Sequence, residues 1–223
     1  MTKGEKLVAN DGYEVMLFPL PFMKISQGEN GSYSHRGTLN IDFVGWSKSG
    51  RVYKAPMYAP CTCKCVATID SYNKGRIFQS TKKVHTPNGL EYVTFMCFHD
   101  NNPIAKVGST FNQGDLFAHT GTAGGVTGDH THFNCANGKY AGWEQVPPEG
   151  HGQLKHSAHI YNICYVNDTT IVDGYMYPWK TWKIEPPVPP VPPTPTGKTP
   201  VSKFPWVLYA RKLRNRHLTH SWH

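Results

Sequence analysis

Two closely spaced histidines are the residues of this chain best suited to chemistry. His130 and His132 are separated by Thr131 and lie at the end of a glycine-rich run, Gly121–Phe133. If this segment is a β-strand, the alternation of side chains puts both imidazoles on the same face. One imidazole can then bind a metal ion while the other acts on a molecule that the metal holds.

Three upstream residues extend this pair to a set that can bind and use a metal ion. A catalytic zinc typically has three protein ligands and an open position for water, whose pKa falls toward neutrality. His35, Asp42 and His99, together with His130 and His132, supply three ligands and two uncommitted imidazoles. The chain has no Gly-x-Ser-x-Gly, His-Glu-x-x-His, phosphate-loop or dinucleotide-binding motif that would indicate other chemistry.

Short strands divided by turns must position these residues. Glycine and proline are plentiful, with 21 and 18 among 223 residues, and only 17% of residues are charged, which is typical of a loop-rich β domain. No window has a long amphipathic helical period, and a short helix is expected only near Leu154–Ile160. We therefore predict a mostly-β fold with an antiparallel sheet or sandwich core and few short helices. The candidate strands are Ile41–Trp46, Cys63–Asp70, Gly75–Gln79, Leu90–Phe98, Leu116–Thr120 and Thr131–Cys135.

The chain divides into three predicted regions: a globular domain at 1–183, a proline-rich linker at 184–200 and a basic, aromatic tail at 201–223. Eight of the fifteen residues from Pro186 to Pro200 are proline. Such a run favours the extended polyproline conformation and forms a semi-rigid spacer of roughly 30 to 45 Å. A ligand for an SH3-type groove is the competing interpretation.

The tail carries five of the chain's eight net positive charges and no acidic residue. A basic segment favours polyanions such as nucleic acid, acidic lipid or wall teichoic acids. The tail is too short to fold alone. It is either a disordered basic tail, a wall-anchoring or docking segment, or the start of a domain absent from this chain.

The six cysteines and the lack of long apolar stretches indicate the compartment in which the protein is made. No secretory signal or membrane span is recognisable, so synthesis in a cytosol is expected. Cys61, Cys63 and Cys65 share one face of a predicted strand, where disulfides between them would be strained. Free buried thiols are favoured, and the same holds for Cys97, Cys135 and Cys164. A structural zinc at Cys-x-Cys-x-Cys is the alternative, although the usual Cys-x-x-Cys spacing is absent.

Four sequence blocks in a fixed order carry a family resemblance over roughly residues 31–135. They are Ser34-His35 with Ile41–Phe43, then Tyr58-Ala59-Pro60, then Tyr92–His99, and finally the stretch from Lys106 to Phe133. Together they resemble the lysostaphin/LytM family of zinc endopeptidases, which cleave bacterial peptidoglycan cross-bridges. Residues 15–34, including Ile25–Gly28, are similar to the lead-in of phage lysins of this type. The implied fold is the mostly-β, duplicated-hybrid-motif-like core of those peptidases.

The resemblance implies a role for each residue of the set. His35, Asp42 and His132 would bind Zn²⁺. His99 and His130 would flank the open coordination position, where one orients or deprotonates the attacking water. Both could stabilise the oxyanion of a tetrahedral intermediate.

Some positions depart from the family pattern or have two interpretations. Six residues separate His35 from Asp42, whereas the family usually has three, so the chain between them must loop out. Asp129 either orients an imidazole or caps a turn. Tyr33 and Tyr92 are candidate substrate-binding residues that could hydrogen-bond an oxyanion, or they are half-buried strand tyrosines.

The resemblance implies a zinc metallo-endopeptidase that hydrolyses peptide cross-links of peptidoglycan. Without an export signal, a phage endolysin or virion tail-associated lysin is expected, made in the host cytoplasm and acting on the cell wall. Peptidoglycan is the expected partner, with anionic wall polymers as partners of the tail, and neither nucleic acid nor a membrane span is expected. Two alternatives are a catalytically degenerate module that binds the wall or regulates a hydrolase, and a polyanion-binding module whose working part is the tail.

Overall fold

A computed structural model describes residues 1–147, 151–167 and 177–183, and its regular elements are almost all β-strands. The strands are β1 (Met23–Gln27), β2 (Ile41–Ser47), β3 (Gly50–Val52), β4 (Pro56–Tyr58), β5 (Cys63–Ile69), β6 (Gly75–Ser80), β7 (Val84–Thr86), β8 (Gly89–Glu91), β9 (Val93–Cys97), β10 (Thr110–Phe111), β11 (Leu116–His119), β12 (Thr131–Asn137), β13 (Trp143–Val146), β14 (His151–Leu154) and β15 (Ser157–Ala158). A single helical turn, α1 (Ile160–Ile163), is the one α-helix within these ranges.

An antiparallel sheet forms the centre of the described region. Its strand order is β1-β2-β12-β9-β6-β5-β10, with β3 added to β2 and β15 added to β12. Three two-stranded ribbons, β4 with β11, β7 with β8 and β13 with β14, complete the pairing within the described residues. The predicted mostly-β, antiparallel fold is therefore confirmed.

Phenylalanines on the central strands form the core beneath one face of the sheet. Phe43, Phe78, Phe95 and Phe133 are fully buried and come from β2, β6, β9 and β12. The rings of Phe78 and Phe95 stack with centroids 5.3 Å apart, and those of Phe43 and Phe133 meet edge to face at 5.6 Å. Such cross-strand aromatic pairs stabilise the strand register. Because side chains alternate along β12, burying Phe133 turns the neighbouring His132 to the opposite face.

Most predicted strands coincide with strands of the structure, but the predicted helix does not. The segment Leu90–Phe98 is split at Tyr92 into β8 and β9. The prediction of a helix near Leu154–Ile160 was wrong, since Leu154 ends β14 and β15 pairs with Cys135 and Ala136 of β12. Helical structure begins only at Ile160. Strand pairing satisfies the backbone of this segment, and that outweighs its weak local preference for helix.

The cysteines of β5 follow the predicted alternation. Cys61, Cys63 and Cys65 are buried in the core, whereas Lys64 between them is exposed. All six cysteines are free thiols. Burial raises the pKa of the Cys61 and Cys63 thiols well above the usual range, so these side chains act as small apolar groups at neutral pH.

The described ranges belong to one compact unit that spans residues 1–185. No helix within them has the length and apolar character needed to cross a membrane. The predicted linker at 184–200 and tail at 201–223 lie outside the described residues.

Candidate active site

Strand pairing brings two of the predicted metal ligands together. β2 and β12 are antiparallel neighbours, and their register places Asp42 directly opposite His132. Residues that face each other in this way have Cβ atoms roughly 5 Å apart, which is suitable for side chains that share one ion. His35 reaches the same point from the loop between β1 and β2.

The three side chains converge through one nitrogen or oxygen each. His35 Nε2 lies 3.0 Å from His132 Nδ1 and 3.2 Å from Asp42 Oδ1, and His132 Nδ1 lies 3.1 Å from the same Oδ1. Two neutral imidazoles and a carboxylate are typical zinc ligands, and ligands of a tetrahedral zinc lie about 3.3 to 3.6 Å apart. The donor set therefore fits a zinc ion after shifts of a few tenths of an ångström.

The six residues between His35 and Asp42 form a closed turn that returns the chain to the site. Thr38 donates its backbone N–H and its hydroxyl to the carbonyl oxygen of His35, at 2.8 and 2.9 Å. The Nδ1–H of His35 donates to the carbonyl oxygen of Gly28 at 3.1 Å, which leaves Nε2 with its lone pair toward the ligand group. The longer spacing is thus compatible with convergence because the extra residues fold back on themselves.

Gln27 is a site residue that the sequence did not reveal. Its Oε1 accepts the backbone N–H groups of Tyr33 and Ser34, both at 3.2 Å, so its amide orientation is fixed. Its Nε2 then donates to Ser34 Oγ at 2.8 Å and to Asp42 Oδ2 at 3.1 Å. One side chain thereby ties the loop before His35 to the outer oxygen of Asp42.

We expect Gln27→Ala to weaken zinc binding by roughly 10- to 100-fold, which is typical for loss of an outer partner of a metal ligand. The cause is the loss of the donor that orients Asp42. Competition with a chromophoric chelator would measure the affinity. Gln145→Ala, on the exposed side of β13, is the matched control and should bind zinc like the wild type. Equal affinities for both variants would contradict the role of Gln27.

The two uncommitted histidines adjoin the ligand group. The His99 and His130 rings have centroids 4.7 Å apart, and the His99 ring lies 6.3 Å from that of His132. Each Nδ1–H donates to a backbone carbonyl, from His99 to Ala123 at 2.7 Å and from His130 to Gly128 at 2.8 Å. A neutral imidazole held in this way keeps Nε2 as an acceptor. His130 Nε2 lies 3.9 Å from Asp42 Oδ2 and therefore faces the ligand group.

His99 is held in a backbone conformation that residues with a Cβ seldom adopt. It follows β9 with φ of 80°, at a cost on the order of 1 to 3 kcal/mol. Its N–H donates to the carbonyl of Asn73 at 2.9 Å, and its carbonyl accepts the N–H of Ala123 at 3.0 Å. These bonds compensate the strain and fix the direction of the imidazole.

Burial and hydrogen bonding together set the protonation of the site. Desolvation would raise the pKa of Asp42, but hydrogen bonds with His132 and His35 outweigh it and hold the pKa well below its usual range. Desolvation lowers the pKa of His99 to about 4, aided by His130 and opposed by the Ala123 carbonyl. Desolvation also lowers the pKa of His132. At neutral pH the Asp42 carboxylate is therefore ionised, and the His99 and His132 imidazoles are neutral. Metal ligation requires this state of Asp42 and His132, and proton acceptance requires it of His99.

The metal-free protein should lose stability as the pH falls from 6.5 to about 4. In this window the unfolded chain binds a proton at His99 that the folded chain excludes, so the free energy of unfolding decreases on acidification. The contribution of His99 is at most about 3 kcal/mol. Chemical denaturation of protein from which a chelator has removed metal ions, repeated across this pH range, would measure the contribution of His99. His99→Gln should show a shallower pH dependence, and a slope equal to that of the wild type would contradict the shifted pKa.

The glycine-rich segment between β11 and β12 supports both histidines. Gly121 and His130 exchange two backbone hydrogen bonds of 2.9 and 3.0 Å. Asp129 Oδ1 accepts the Thr120 hydroxyl at 2.6 Å, and its Oδ2 accepts the N–H of Lys54 at 3.0 Å. Of the two interpretations of Asp129, the structure therefore favours a backbone-fixing role, since its carboxylate holds the segment and not an imidazole.

Gly121→Ala should displace His99 and destabilise the protein. A Cβ at Gly121 would lie 2.1 Å from the carbonyl oxygen of His99, and backbone cannot move aside cheaply. We expect a loss of roughly 1 to 3 kcal/mol in the free energy of unfolding, measured by urea denaturation. Gly128→Ala is the control from the same segment, because its Cβ would meet only Arg51 Nη2 at 3.5 Å. If Gly121→Ala lowered the free energy of unfolding no more than Gly128→Ala does, the close packing of Gly121 against His99 would not contribute to stability.

The site opens into a cleft of about 830 Å³. Tyr33 lines this cleft and is 81% exposed. Tyr92 lies elsewhere, at the far end of β9, where Lys139 Nζ sits 4.6 Å above its ring. That end pairs with the end of β12 near Gly138, roughly 20 Å along the strand from His132. Tyr33 is therefore placed where it can contact a molecule in the cleft, whereas Tyr92 is too far away to do so.

No family model matches the chain. Over 172 residues it is 41% identical to Morphogenesis protein 1 of Bacillus phage B103, and the match covers 76% of this chain and 45% of that protein. The chain therefore spans less than half the length of this curated relative.

Several solved peptidase structures overlap part of the chain. The catalytic domain of the prophage-encoded M23 protein EnpA from Enterococcus faecalis is 15% identical, with a TM-score of 0.41 and coverage of 61% of this chain and 94% of that one. The catalytic domain of lysostaphin from Staphylococcus simulans is 17% identical, with a TM-score of 0.36 and coverage of 57% and 84%. A zinc-containing peptidase from Vibrio cholerae is 19% identical, with a TM-score of 0.39 and coverage of 59% and 43%.

Proposed function

We propose that this chain is a zinc-dependent endopeptidase that hydrolyses peptide cross-links of bacterial peptidoglycan. The observation that carries the proposal is the convergence of His35 Nε2, Asp42 Oδ1 and His132 Nδ1 within 3.2 Å of one another, beside two imidazoles whose Nε2 atoms are acceptors. Three ligands with adjacent bases are the composition of a catalytic zinc site. A structural zinc site would instead be closed by a fourth protein ligand.

The residues of the site divide the chemistry between them. His35, Asp42 and His132 would hold the zinc ion, which supplies a Lewis acid that lowers the pKa of water and polarises a carbonyl. His130, whose Nε2 faces Asp42, accepts a proton from the attacking water and returns it to the leaving amine. His99, neutral because burial lowers its pKa, stands beside His130 with its Nε2 as a second acceptor that can orient the attacking water.

The surroundings support a peptide substrate and a phage context. The cleft is large enough for several residues of an extended peptide, and its lining combines neutral polar side chains with apolar ones such as Phe98 and Trp143. The similarity to Morphogenesis protein 1 of a Bacillus phage supports a phage lysin, either an endolysin or a virion tail-associated enzyme. We propose that it acts on the cell wall, and that its catalytic domain occupies residues 1–183.

Digestion of purified peptidoglycan tests this function. Wild-type protein loaded with zinc should reduce the number of peptide cross-links and create new amino termini, which dinitrophenylation and mass spectrometry would identify. Treatment with a chelator should stop the reaction, and zinc should restore it. His130→Ala is the control for contaminating hydrolases. New reducing sugar ends without new amino termini would contradict a peptidase.

The basic tail is proposed to bind anionic wall polymers across the proline-rich spacer. Its five positive charges without an acid support this. Deleting residues 184–223 should reduce sedimentation with teichoic-acid-bearing walls and leave hydrolysis of soluble cross-linked peptides unchanged. If the deletion abolished hydrolysis of soluble peptides, the tail would belong to the active part of the protein.

A further inference from the structure

Three tyrosines around the cleft are the most exposed large apolar side chains of the described residues. Tyr33, Tyr72 and Tyr53 are 81%, 73% and 67% exposed. We call these three residues the tyrosine rim. Large aromatic rings are normally at least half buried, because each hides a large apolar area from water. Several exposed rings beside one cleft therefore indicate a surface that a ligand covers.

Each member of the tyrosine rim is tied to the cleft by a contact. Tyr33 lines the cleft directly. The guanidinium of Arg51, another lining residue, lies 5.0 Å above the ring of Tyr53. Tyr72 packs beside Gly125, where a Cβ would lie 3.2 Å from its ring and 3.3 Å from its hydroxyl. The tyrosines thus come from the loop before His35, the residues after β3 and the turn between β5 and β6.

The polar lining of the cleft favours an uncharged, hydroxyl-rich ligand. The carboxylate of Asp42 is committed to the histidines, and that of Asp129 to Thr120 and the Lys54 backbone. Arg51 is the one lysine or arginine among the lining residues, and it already donates to the carbonyl of Asp129 at 2.5 Å. The lining also has neutral donors and acceptors that match hydroxyl and amide groups, namely Ser26, Ser32, Asn73 and Thr127.

We propose that the tyrosine rim binds pyranose rings of the glycan strand next to the peptide that is cleaved. The proposal rests on the proposed function, since a peptidoglycan peptide enters the cleft attached to its sugar. The axial C–H groups of a pyranose form an apolar face that packs on a tyrosine ring through dispersion contacts. The remaining hydroxyl and acetamido groups of the sugar match the neutral lining residues. A free peptide offers no comparable flat, uncharged face to three separate rings.

Paired substrates test the proposal. A muramidase digest of peptidoglycan provides cross-linked peptides that still carry disaccharides, and an amidase then removes the sugars from half of the sample. The readout is the ratio of kcat/KM for the sugar-bearing substrate to kcat/KM for the stripped one. In the double variant Tyr53→Ala, Tyr72→Ala this ratio should fall by roughly two- to tenfold for each ring removed, through KM and not kcat. The double variant to Phe should keep the ratio, because stacking uses the ring.

Tyr13→Ala is the matched control. This tyrosine is 38% exposed and meets the edge of His85, which does not line the cleft, so the ratio should not change. A double Ala variant with an unchanged ratio would overturn the proposal. Equal losses on both substrates would also overturn it, because the rim would then contact the peptide.

A binding measurement separates this proposal from the proposed function. Calorimetric titration of His130→Ala with disaccharide-peptide should show weaker binding once Tyr53 and Tyr72 are replaced by Ala. If the wild type cleaved neither substrate but the titration showed this loss, the peptidase proposal would fail and the sugar surface would stand. If cleavage were normal and the titration showed no loss, only the sugar surface would fail.

Discussion

His132→Ala is expected to abolish zinc binding and, with it, peptide hydrolysis. His132 supplies the Nδ1 that lies 3.0 Å from His35 Nε2 and 3.1 Å from Asp42 Oδ1, so its removal leaves only two protein ligands. Loss of an outer partner of a ligand already weakens metal affinity by roughly 10- to 100-fold, and loss of a ligand itself should exceed this range. Metal analysis after dialysis, together with chelator competition, would measure the effect.

His85→Ala is the control for replacing a histidine outside the cleft. His85 forms a hydrogen bond with Asp11 through Nε2 at 2.8 Å and does not line the cleft, so this variant should retain zinc and hydrolysis. Circular dichroism of His132→Ala should show an intact β fold, because the neighbouring Phe133 and the other core phenylalanines are untouched. A His132→Ala protein that kept zinc with wild-type affinity would remove His132 from the ligand set.

His130→Ala and His99→Ala should each keep the zinc ion and lose turnover. Neither imidazole belongs to the group of atoms that converges for metal binding. Removing a group that transfers a proton in the transition state typically costs on the order of 10²- to 10⁴-fold in kcat. Steady-state kinetics on a soluble cross-linked peptide, with zinc content measured on the same sample, would separate turnover from metal loss.

The zinc contents of these variants decide whether His130 or His132 is the metal ligand. The expected pattern is zinc loss in His132→Ala and zinc retention in His130→Ala. The reverse pattern would mean that the two roles are exchanged. Loss of zinc in both variants would mean that the metal is shared between them, which the Nδ1 hydrogen bond of His130 to Gly128 opposes.

Local periodicity made part of the site predictable. The alternation of side chains in an extended segment was sufficient to predict that His130, just before β12, and His132 share a face, because the period of a strand is two. The structure agrees, since Thr131 and Phe133 are fully buried while the two histidines line the cleft. That Asp42 lies opposite His132 depends on the pairing of strands distant in sequence, and local patterns do not determine this register.

The features that sequence reasoning missed are long-range or conformational. Gln27 acts through four hydrogen bonds across a loop, and nothing in its local pattern distinguishes it from any polar residue at the end of a strand. Tyr92 immediately precedes the strand that leads to His99, yet it lies at the opposite end of that strand from the cleft. Where the sequence predicts a helix near Leu154–Ile160, the structure has β15 paired with β12. This tertiary contact outweighs the local propensity of the segment.

Zinc analysis of the purified wild-type protein is the decisive test of whether this chain is a zinc peptidase. The protein would be expressed in zinc-containing medium, dialysed at neutral pH and analysed by inductively coupled plasma mass spectrometry alongside a peptidoglycan digestion. We expect one zinc per chain and a loss of hydrolysis when that zinc is removed by a chelator. A protein that contains no zinc after this treatment, yet still creates new amino termini in peptidoglycan, would contradict it.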